Sequence, residues 1–491
     1  MILALLLSPL IVAALVFVLP WPRLRRAMLP LSASIHFLLT LSCHLRSPAA
    51  ALQGMLALDE LGLLFLSTTS TIYLIVSVYT VGFLAREPAG KRRDALSRGV
   101  FSNAPETIFI ACLSLFLSAM TLVTVSQNFG ILWVGIESTT LATAPLIYFH
   151  RHNRSLEATW KYLLICSVGI AIALLGTLFL SVAGQLSAHP ELGMDLSALL
   201  SAAQSMDSAW LRGAFLLMLV GYGTKMGLAP VHSWLPDAHS EAPSAVSALL
   251  SGALLNCAFL GILRMQQVLE AAGMGSFGRE LLLVFGLLSM LFGALFLIGQ
   301  SDFKRLLAYS SVEHMGILAV GVGVGDAGVS GALFHMVVHS LAKSLLFLVA
   351  GNTLAAYGTR ALAEVRGVFA HRPGTGALWL VGLFAIVGSP PFGPFISELV
   401  VLRAALSSGQ WLVAILFLGA LSLAFIGMSG AVLRMVQGSG PAPRLTTPEP
   451  WSSLAPPMLL AGLVLLLGVW LPAPLTTLLH DAARALGGGA F

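Results

Sequence analysis

The sequence is short of charged residues. Only 10% of its 491 residues are Asp, Glu, Lys or Arg, whereas a soluble domain carries roughly 25%. Hydrophobic residues make up 57% of the chain, so most of its surface must face lipid rather than water. The net charge is only +5, and the basic residues lie in short loops between apolar runs. This distribution excludes a nucleic-acid-binding surface.

Cysteine is also scarce, and motifs for cofactors are missing. The four cysteines, Cys43, Cys112, Cys166 and Cys257, lie inside or at the edge of apolar stretches. They form no C-x-x-C pair and no zinc or iron–sulfur spacing, and no flavin, nickel or nucleotide motif is found. We therefore expect this chain to hold no metal and no cofactor.

Long apolar runs are what the chain has instead. A membrane-spanning helix needs about 20 such residues, and about fourteen runs meet this length. The sequence therefore predicts an all-α integral membrane protein with about fourteen transmembrane helices. The first run, Met1–Pro20, lacks the basic start and cleavage site of a signal peptide, so we interpret it as a retained span. The connectors near 86–106, 185–212 and 435–455 are interpreted as loops.

Lysine and arginine are distributed unevenly between the two sets of loops. The loops that follow odd-numbered helices hold 18 of these residues and the other loops hold 6, while Lys225 and Lys343 lie within spans. Positive loops stay in the cytoplasm. The pattern predicts a multi-pass protein of the bacterial cytoplasmic (inner) membrane with both termini on the outer, periplasmic side.

Two of the predicted spans are interrupted, helix 7 at Gly227–Pro236 and helix 12 at Gly388–Pro394. Proline removes a helical donor, and freed backbone groups are tolerated in a membrane only beside a protein-lined, hydrated cavity. The breaks are five helices apart, which predicts two inverted five-helix repeats in helices 4–8 and 9–13. The predicted units are an N-terminal three-helix segment (1–106), the repeats (107–271 and 272–434), and a last helix with a short tail (435–491).

Ionisable residues within spans are expensive and are functional candidates by default. Glu137 lies in helix 5, and Lys225 lies just before the break of helix 7. A buried carboxylate and a buried ammonium stabilise each other, so a change in their separation changes how firmly the lysine holds its proton. The pair is either such a proton switch or a static salt bridge between two helices.

A stripe of ionisable residues runs along helix 11. His335, His339 and Lys343 are spaced i, i+4 and i+8, so they share one helix face. Imidazoles accept and donate protons near neutral pH, which suits a hydrated relay. The alternative is a polar packing network.

Glu398 follows the second break at the place that Lys225 occupies in the first half. It is a candidate for proton release, or for a structural hydrogen bond to the unwound backbone. Glu313 and His314 in helix 10 either extend the relay or brace it.

His232 and His239 lie beside Asp237 and Glu241 in the turn after the first break. Proton uptake and loop bracing are both open for these two histidines. Their spacing is not diagnostic of a metal site.

Several stretches carry a family resemblance: Trp133–Glu137, Gly223–Pro243, Asp302–Gly316, His335–Lys343 and Gly388–Glu398. They resemble the antiporter-like membrane subunits of respiratory complex I, the Mrp cation/proton antiporters and the membrane-bound hydrogenases. The wording SSVEHMG and SALLSGALLN is similar to the F-type subunit of the hydrogenase-4 and formate-hydrogenlyase group.

The resemblance implies proton translocation along a hydrated axis formed by Glu137, Lys225, His335, His339, Lys343 and Glu398. It also implies a non-redox subunit of an oxidoreductase complex, with iron–sulfur and nickel–iron centres in partner subunits. The expected partners are other membrane subunits, including antiporter-like paralogues and a subunit that links to a quinone or hydrogenase module.

One departure from the family pattern concerns helix 8. Many relatives carry a lysine or histidine there, whereas this chain offers only Ser251 and Asn256, so a complete pathway would need water. The chain stops about twenty residues after its last predicted span, so we expect no long lateral helix. Alternative functions are Na⁺/H⁺ exchange in an Mrp-like assembly, service to an inorganic-carbon-uptake complex, and a scaffold with a vestigial channel.

Overall fold

The computed structural model describes residues 1–87, 91–93, 100–187, 193–438, 440, 443 and 448–489. Almost all of this chain is helical. The helices are α1 (Ile2–Val18), α2 (Pro22–Leu45), α3 (Glu60–Arg86), α4 (Glu106–Val125), α5 (Phe129–Ile147), α6 (Asn153–Gln185), α7 (Leu196–Ala202), α8 (Ser208–Met226), α9 (Trp234–Glu241), α10 (Ser244–Leu249), α11 (Leu255–Ala271), α12 (Gly275–Leu297), α13 (Phe303–Val324), α14 (Ala327–Tyr357), α15 (Val368–His371), α16 (Pro373–Ile386), α17 (Gly393–Ser407), α18 (Trp411–Val436), α19 (Trp451–Val469) and α20 (Ala473–Arg484). A π-helical turn, Leu250–Leu254, joins α10 to α11 in one continuous helix.

Eleven of these described helices are long and apolar enough to cross a membrane, counting α10–α11 as one. Counting the apolar helix α1, the helix α8 that carries Lys225, and the broken pair α16–α17 as further spans would give the fourteen that the sequence predicts. The all-α membrane fold is therefore confirmed, and the chain is a multi-pass integral membrane protein. α10–α11 and α14 are buried along their whole apolar length and form the centre of the bundle.

The predicted plain loops were wrong in two places. The connector before α8 contains the short helix α7, whose Leu196 and Leu199 are buried against the bundle. The connector after α3 contains an antiparallel ladder of β1 (Lys91–Arg93) and β2 (Val100–Ser102). Amphipathic elements of this length fall below the apolar run that identifies a span, so a search for spans passes over them. Arg98 and Arg444, which entered the count of loop charges, lie outside the described residues.

Both predicted helix breaks are confirmed. α8 ends before Gly227 (φ 85°), and α9 begins only at Trp234. α16 ends before Gly388 (φ 64°), and α17 begins at Gly393. Glycine adopts the left-handed region without the steric cost that a side chain incurs, which is why it ends helices so often. The proposed unit boundaries at 106, 271 and 434 remain predictions.

Neighbouring helices satisfy the backbone of the first break. The amide of Ala229 donates to Ser289 Oγ on α12 at 2.9 Å. The indole of Trp234, which is fully buried, donates to the carbonyl of Thr224 at 2.8 Å. Freed backbone groups are thus paired inside protein, as a membrane interior requires.

Polar contacts join neighbouring segments at each of the two rims of the bundle. On one rim, loops after odd-numbered spans meet through Arg305–Asp237 (2.6 Å) and Arg360–Glu241 (2.8 Å). On the other, the tail after α20 reaches the start of α14, where Ser330 Oγ donates to a carbonyl of that tail at 2.7 Å. Loops that the charge pattern assigned to one side therefore lie together.

We expect Ser289→Ala to destabilise the fold by about 1–3 kcal/mol, because it leaves the buried amide of Ala229 without an acceptor. The measurement is the midpoint of thermal unfolding of the detergent-purified chain, followed by labelling of the buried thiols Cys166 and Cys257. Ser422→Ala is the matched control, since its hydroxyl donates only to Leu418 within exposed α18. Equal midpoints for the two variants would contradict the assigned role of Ser289.

Candidate functional site

Lys225 lies at the last turn of α8 and is fully buried. Its Nζ donates to Tyr162 OH at 2.6 Å and to Thr140 Oγ1 at 2.8 Å, and lies 4.6 Å from the centre of the tyrosine ring. Thr143 Oγ1 is 2.7 Å from the same tyrosine hydroxyl. Two helices, α5 and α6, therefore surround this ammonium with hydroxyl groups.

Glu137 reaches the lysine through one hydroxyl. Thr140 Oγ1, which accepts from Lys225, donates to Glu137 Oε2 at 3.1 Å, and Ser167 Oγ donates to Glu137 Oε1 at 3.2 Å. Within the described part of the chain no ion pair shorter than 4.0 Å joins Glu137 to Lys225. Glu137 is half-buried. The static salt bridge is therefore not formed, and the two charges are one shared hydrogen-bond partner apart.

Three histidines form a second cluster at the junction of α13, α14 and α17. His314 Nδ1 lies 2.9 Å from His335 Nε2, and the ring of His339 lies 5.0 Å from that of His314. His335 Nδ1 lies 2.8 Å from Ser397 Oγ, whose own proton goes to the carbonyl of Pro394. Ser397 must then accept from His335 Nδ1–H, so His335 Nε2 accepts the proton that His314 Nδ1 donates.

Two carboxylates complete this histidine cluster. Glu313 Oε2 is 3.3 Å from His314 Nε2. One oxygen of Glu398 and one nitrogen each of His314 and His335 lie within 4.8 Å of one another. Glu398 also lines a cavity of about 400 Å³ at the surface between α17 and α18, whose other walls are mainly apolar. It is therefore the member of the cluster nearest the outside of the chain.

Lys343 links this cluster to the rim. It is fully buried, and its Nζ donates to the carbonyl of Leu307 at 2.8 Å. It interacts electrostatically with Glu313 and with His239 of α9. His239 stacks on Phe347 with 5.0 Å between ring centres, and it also interacts with the charge of Lys304. His239 therefore lies between Lys304 at the rim and the stripe of ionisable residues on α14.

His232 lies apart, among the rings of Phe292, Phe296 and Tyr309. The structure thus does not join it to His239, although the two follow the same break.

The continuous helix α10–α11, which is the predicted helix 8, carries only neutral polar groups between the two clusters. Ser251 Oγ lies 2.8 Å from Ser311 Oγ, and Asn256 Nδ2 donates to Ser340 Oγ at 2.8 Å. Ser251 lies within the π-helical turn and Asn256 lies two residues after it, and such turns occur frequently at functional sites.

Buried polar atoms without a protein partner follow the same path. Within the described residues they include both ring nitrogens of His239 and of His339, Asn256 Oδ1, Glu313 Oε1 and Glu398 Oε1. Buried polar groups in folded proteins are almost always hydrogen-bonded, to ordered water where protein offers nothing. These atoms lie on α9, α11, α13, α14 and α17, the helices that carry the residues of the predicted axis.

Three important contacts were not predicted from the sequence: Thr140, Tyr162 and Ser397. Thr140 follows Glu137 by three residues on the same helix face, so its role could have been anticipated. Ser397 directly precedes Glu398. Tyr162 offers no local signal, because its contact with Lys225 depends on how α6 crosses α8.

Residues 126–424 match the protein family described as NADH:quinone oxidoreductase/Mrp antiporter, TM. The chain is 37% identical over 421 residues to the hydrogenase-4 component F homolog of Methylacidiphilum infernorum (isolate V4), which covers 84% of this chain and 85% of that protein.

Solved structures share the fold along nearly the whole chain. A chain of respiratory complex I from Thermus thermophilus with bound NADH has a TM-score of 0.81 at 25% identity, covering 99% of this chain and 100% of that one. A chain of the Mrp complex from Dietzia sp. DQ12-45-1b has a TM-score of 0.83 at 20% identity, covering 98% and 96%, a likeness of fold alone. The resemblance read from the motifs is confirmed: the chain belongs to the family of antiporter-like membrane subunits found in complex I, hydrogenase-4 and Mrp assemblies.

Proposed function

We propose that this chain translocates protons as a subunit of a membrane-bound redox complex of the hydrogenase-4 or formate-hydrogenlyase type. The observation that carries the proposal is the buried line of Lys343, His339, His314, His335 and Glu398, in which ionisable groups adjoin buried atoms that need water. Electron transfer then takes place elsewhere, at iron–sulfur and nickel–iron centres of partner subunits. Antiporter-like paralogues and a subunit that links to a quinone or hydrogenase module are the proposed neighbours.

In the second half, the histidine pair supplies the transfer step. An N–N distance of 2.9 Å between His314 and His335 is a hydrogen bond, along which a proton can pass. An imidazole accepts at one nitrogen and releases from the other, so the rings act in sequence. A proton held by Lys343 moves over His339 and water to this pair and then to Glu398, which lies beside the surface cavity.

In the first half, Glu137 controls Lys225. While the carboxylate is charged and bonded to Thr140, the hydroxyl oxygen of Thr140 is polarised toward the lysine and favours the ammonium. Protonation of Glu137, or a charge that draws it away, removes this support and releases the lysine proton. Because Glu137 is half-buried at the side of the chain, a neighbouring subunit can act on it.

The two halves, 107–271 and 272–434, are proposed as the repeated units, with Lys225 and Glu398 in corresponding places beside the breaks. The serine pair Ser251–Ser311 and the pair Asn256–Ser340 lie between them. Hydroxyl and amide groups do not store a proton, but they order the water that carries one.

The donor set favours H⁺ over Na⁺ as the transported ion. Hard cations prefer several oxygen ligands, whereas imidazole nitrogen suits protons and softer metals. The second cluster combines three imidazoles with two carboxylates, which is a poor sodium cage.

We also propose the orientation in the bacterial cytoplasmic membrane. The rim that holds Arg305 and Arg360 carries the excess of positive loops and would face the cytoplasm. The tail after α20 lies at the opposite rim, so both termini would be periplasmic.

We expect Lys225→Ala and Glu398→Ala to abolish most of the ΔpH that the complete complex generates in inverted vesicles. Each variant removes a titratable group at one break. The measurement is quenching of a pH-sensitive dye, with electron transfer by the same vesicles measured in parallel.

The matched controls are Glu157→Ala and Lys161→Ala on the exposed rim of α6, where Lys161 also contacts Asp237. Unchanged ΔpH in both Lys225→Ala and Glu398→Ala would support the scaffold hypothesis. A ΔpH that depends on Na⁺ would support the antiporter alternative.

Thr140→Val should lower the rate of ΔpH formation about tenfold, since it deletes the hydroxyl shared by Glu137 and Lys225 while keeping the side-chain shape. Thr159→Val is the control, because that buried hydroxyl donates only to the carbonyl of Ser155 in its own helix. Equal rates in the two variants would show that Glu137 acts on Lys225 without Thr140.

Alkaline phosphatase fused at the C-terminus should be active, because we place this end in the periplasm. The same enzyme fused after Val436, at the end of α18, should be inactive. The reverse pattern of activities would overturn the proposed orientation.

A further inference from the structure

His314, His335 and Glu398, which the proposed relay uses for protons, also bring together donor atoms suited to a metal ion. Two imidazole nitrogens and a carboxylate oxygen are a ligand set that zinc takes in proteins, with the fourth position left open. All three side chains are buried, and their donor atoms lie within 4.8 Å of one another. The sequence shows no metal-ligand motif for this set, because its members come from three separate helices, α13, α14 and α17.

We propose that these three side chains bind a borderline-soft divalent cation, with Zn²⁺ as the best fit. Metal–ligand bonds of about 2.0–2.1 Å in a tetrahedron place donor atoms about 3.3 Å apart. His314 Nδ1 and His335 Nε2 stand at 2.9 Å, so the two rings need to open by only about 0.4 Å. Glu398 Oε1 has no hydrogen-bond partner in the described chain, so its approach breaks no existing bond.

The second contacts of both histidines support the site. Metal-bound imidazoles usually engage their other nitrogen with a carboxylate, carbonyl or similar group, which fixes the ring and raises its basicity. His314 has Glu313 at 3.3 Å from Nε2, and His335 has Ser397 at 2.8 Å from Nδ1. In both rings the nitrogen that remains is the one that faces the other ring.

Charge also favours a divalent ion at this place. A cation in a low-dielectric interior needs compensating charge close by. Glu313 and Glu398 together carry two negative charges when ionised, and each has one oxygen without a partner in the described chain. A doubly charged cation is neutralised by this pair.

Binding must displace the proton shared by the two rings. His314 Nδ1 carries that proton, and a metal ion at the same point requires the lone pair of both nitrogens, so the proton moves to His314 Nε2, which faces Glu313 Oε2 at 3.3 Å. The ion and the translocated proton therefore compete for one position, so zinc would block the pathway. This inhibitory consequence rests on the proposed function, whereas the binding site does not.

The binding experiment uses the full chain, purified in detergent and stripped with a chelator, titrated with Zn²⁺ by calorimetry and with Co²⁺ by visible absorption. We expect one equivalent to bind. His314→Gln, His335→Gln and Glu398→Gln should each weaken binding by more than tenfold, and Ser397→Ala by about tenfold through loss of the outer contact. His36→Gln is the control, a buried histidine that contacts only Ser70 and Thr121.

X-ray absorption of the Zn²⁺-loaded wild-type chain needs no variant to fold, and it should show two imidazoles with oxygen donors. Sulfur ligands, a single imidazole, or wild-type affinity equal to that of His314→Gln would overturn the site. If zinc binds as expected while the relay variants pump normally, the translocation proposal fails and the metal site stands. If zinc slows ΔpH formation in wild type and less so in Ser397→Ala, both stand.

Discussion

Two lysine ammonium groups, those of Lys225 and Lys343, are buried in the middle of a lipid-embedded bundle with no carboxylate in direct contact within the described chain. A charge in such surroundings is tolerated only if polar groups replace the water it has lost. The rest of the structure meets this constraint. Hydroxyls of α5 and α6 surround one lysine, a backbone carbonyl binds the other, and unsatisfied polar atoms along the path provide places for water.

The two halves surround their buried ionisable residues with different chemical groups. Around Lys225 the partners are hydroxyls of threonine and tyrosine, which do not change charge near neutral pH. Around Glu398 they are imidazoles, which can accept a proton at one nitrogen and release one from the other. In the proposed function, the first half therefore holds a proton in one place under the influence of Glu137, while the second half passes it between several groups. The same difference places the proposed metal site in the second cluster.

Local sequence rules were sufficient for the helix breaks and for the stripe on α14. Gly-Leu-Ala-Pro and Gly-Ser-Pro-Pro are incompatible with a continuous helix, and residues four apart share a helix face whatever surrounds them. The pairing of His314 with His335 and the contact of Tyr162 with Lys225 were beyond such rules. They depend on how helices distant in sequence cross, which apolar periodicity alone does not specify. The short helices α7 and α20 were not predicted for another reason: their amphipathic patterns are too short to be recognised as spans.

The π-helical turn at Leu250–Leu254 changes the directions in which the side chains of the continuous helix α10–α11 point. In a regular α-helix, residues five apart point about 140° away from each other. A turn closed by an i→i+5 bond absorbs one extra residue, which reduces the angle between the side chains of Ser251 and Asn256. Ser251 meets α13 and Asn256 meets α14 as a result. The widened turn thus sets the directions of two small neutral groups, one toward α13 and one toward α14, at a point where the helix has no titratable side chain.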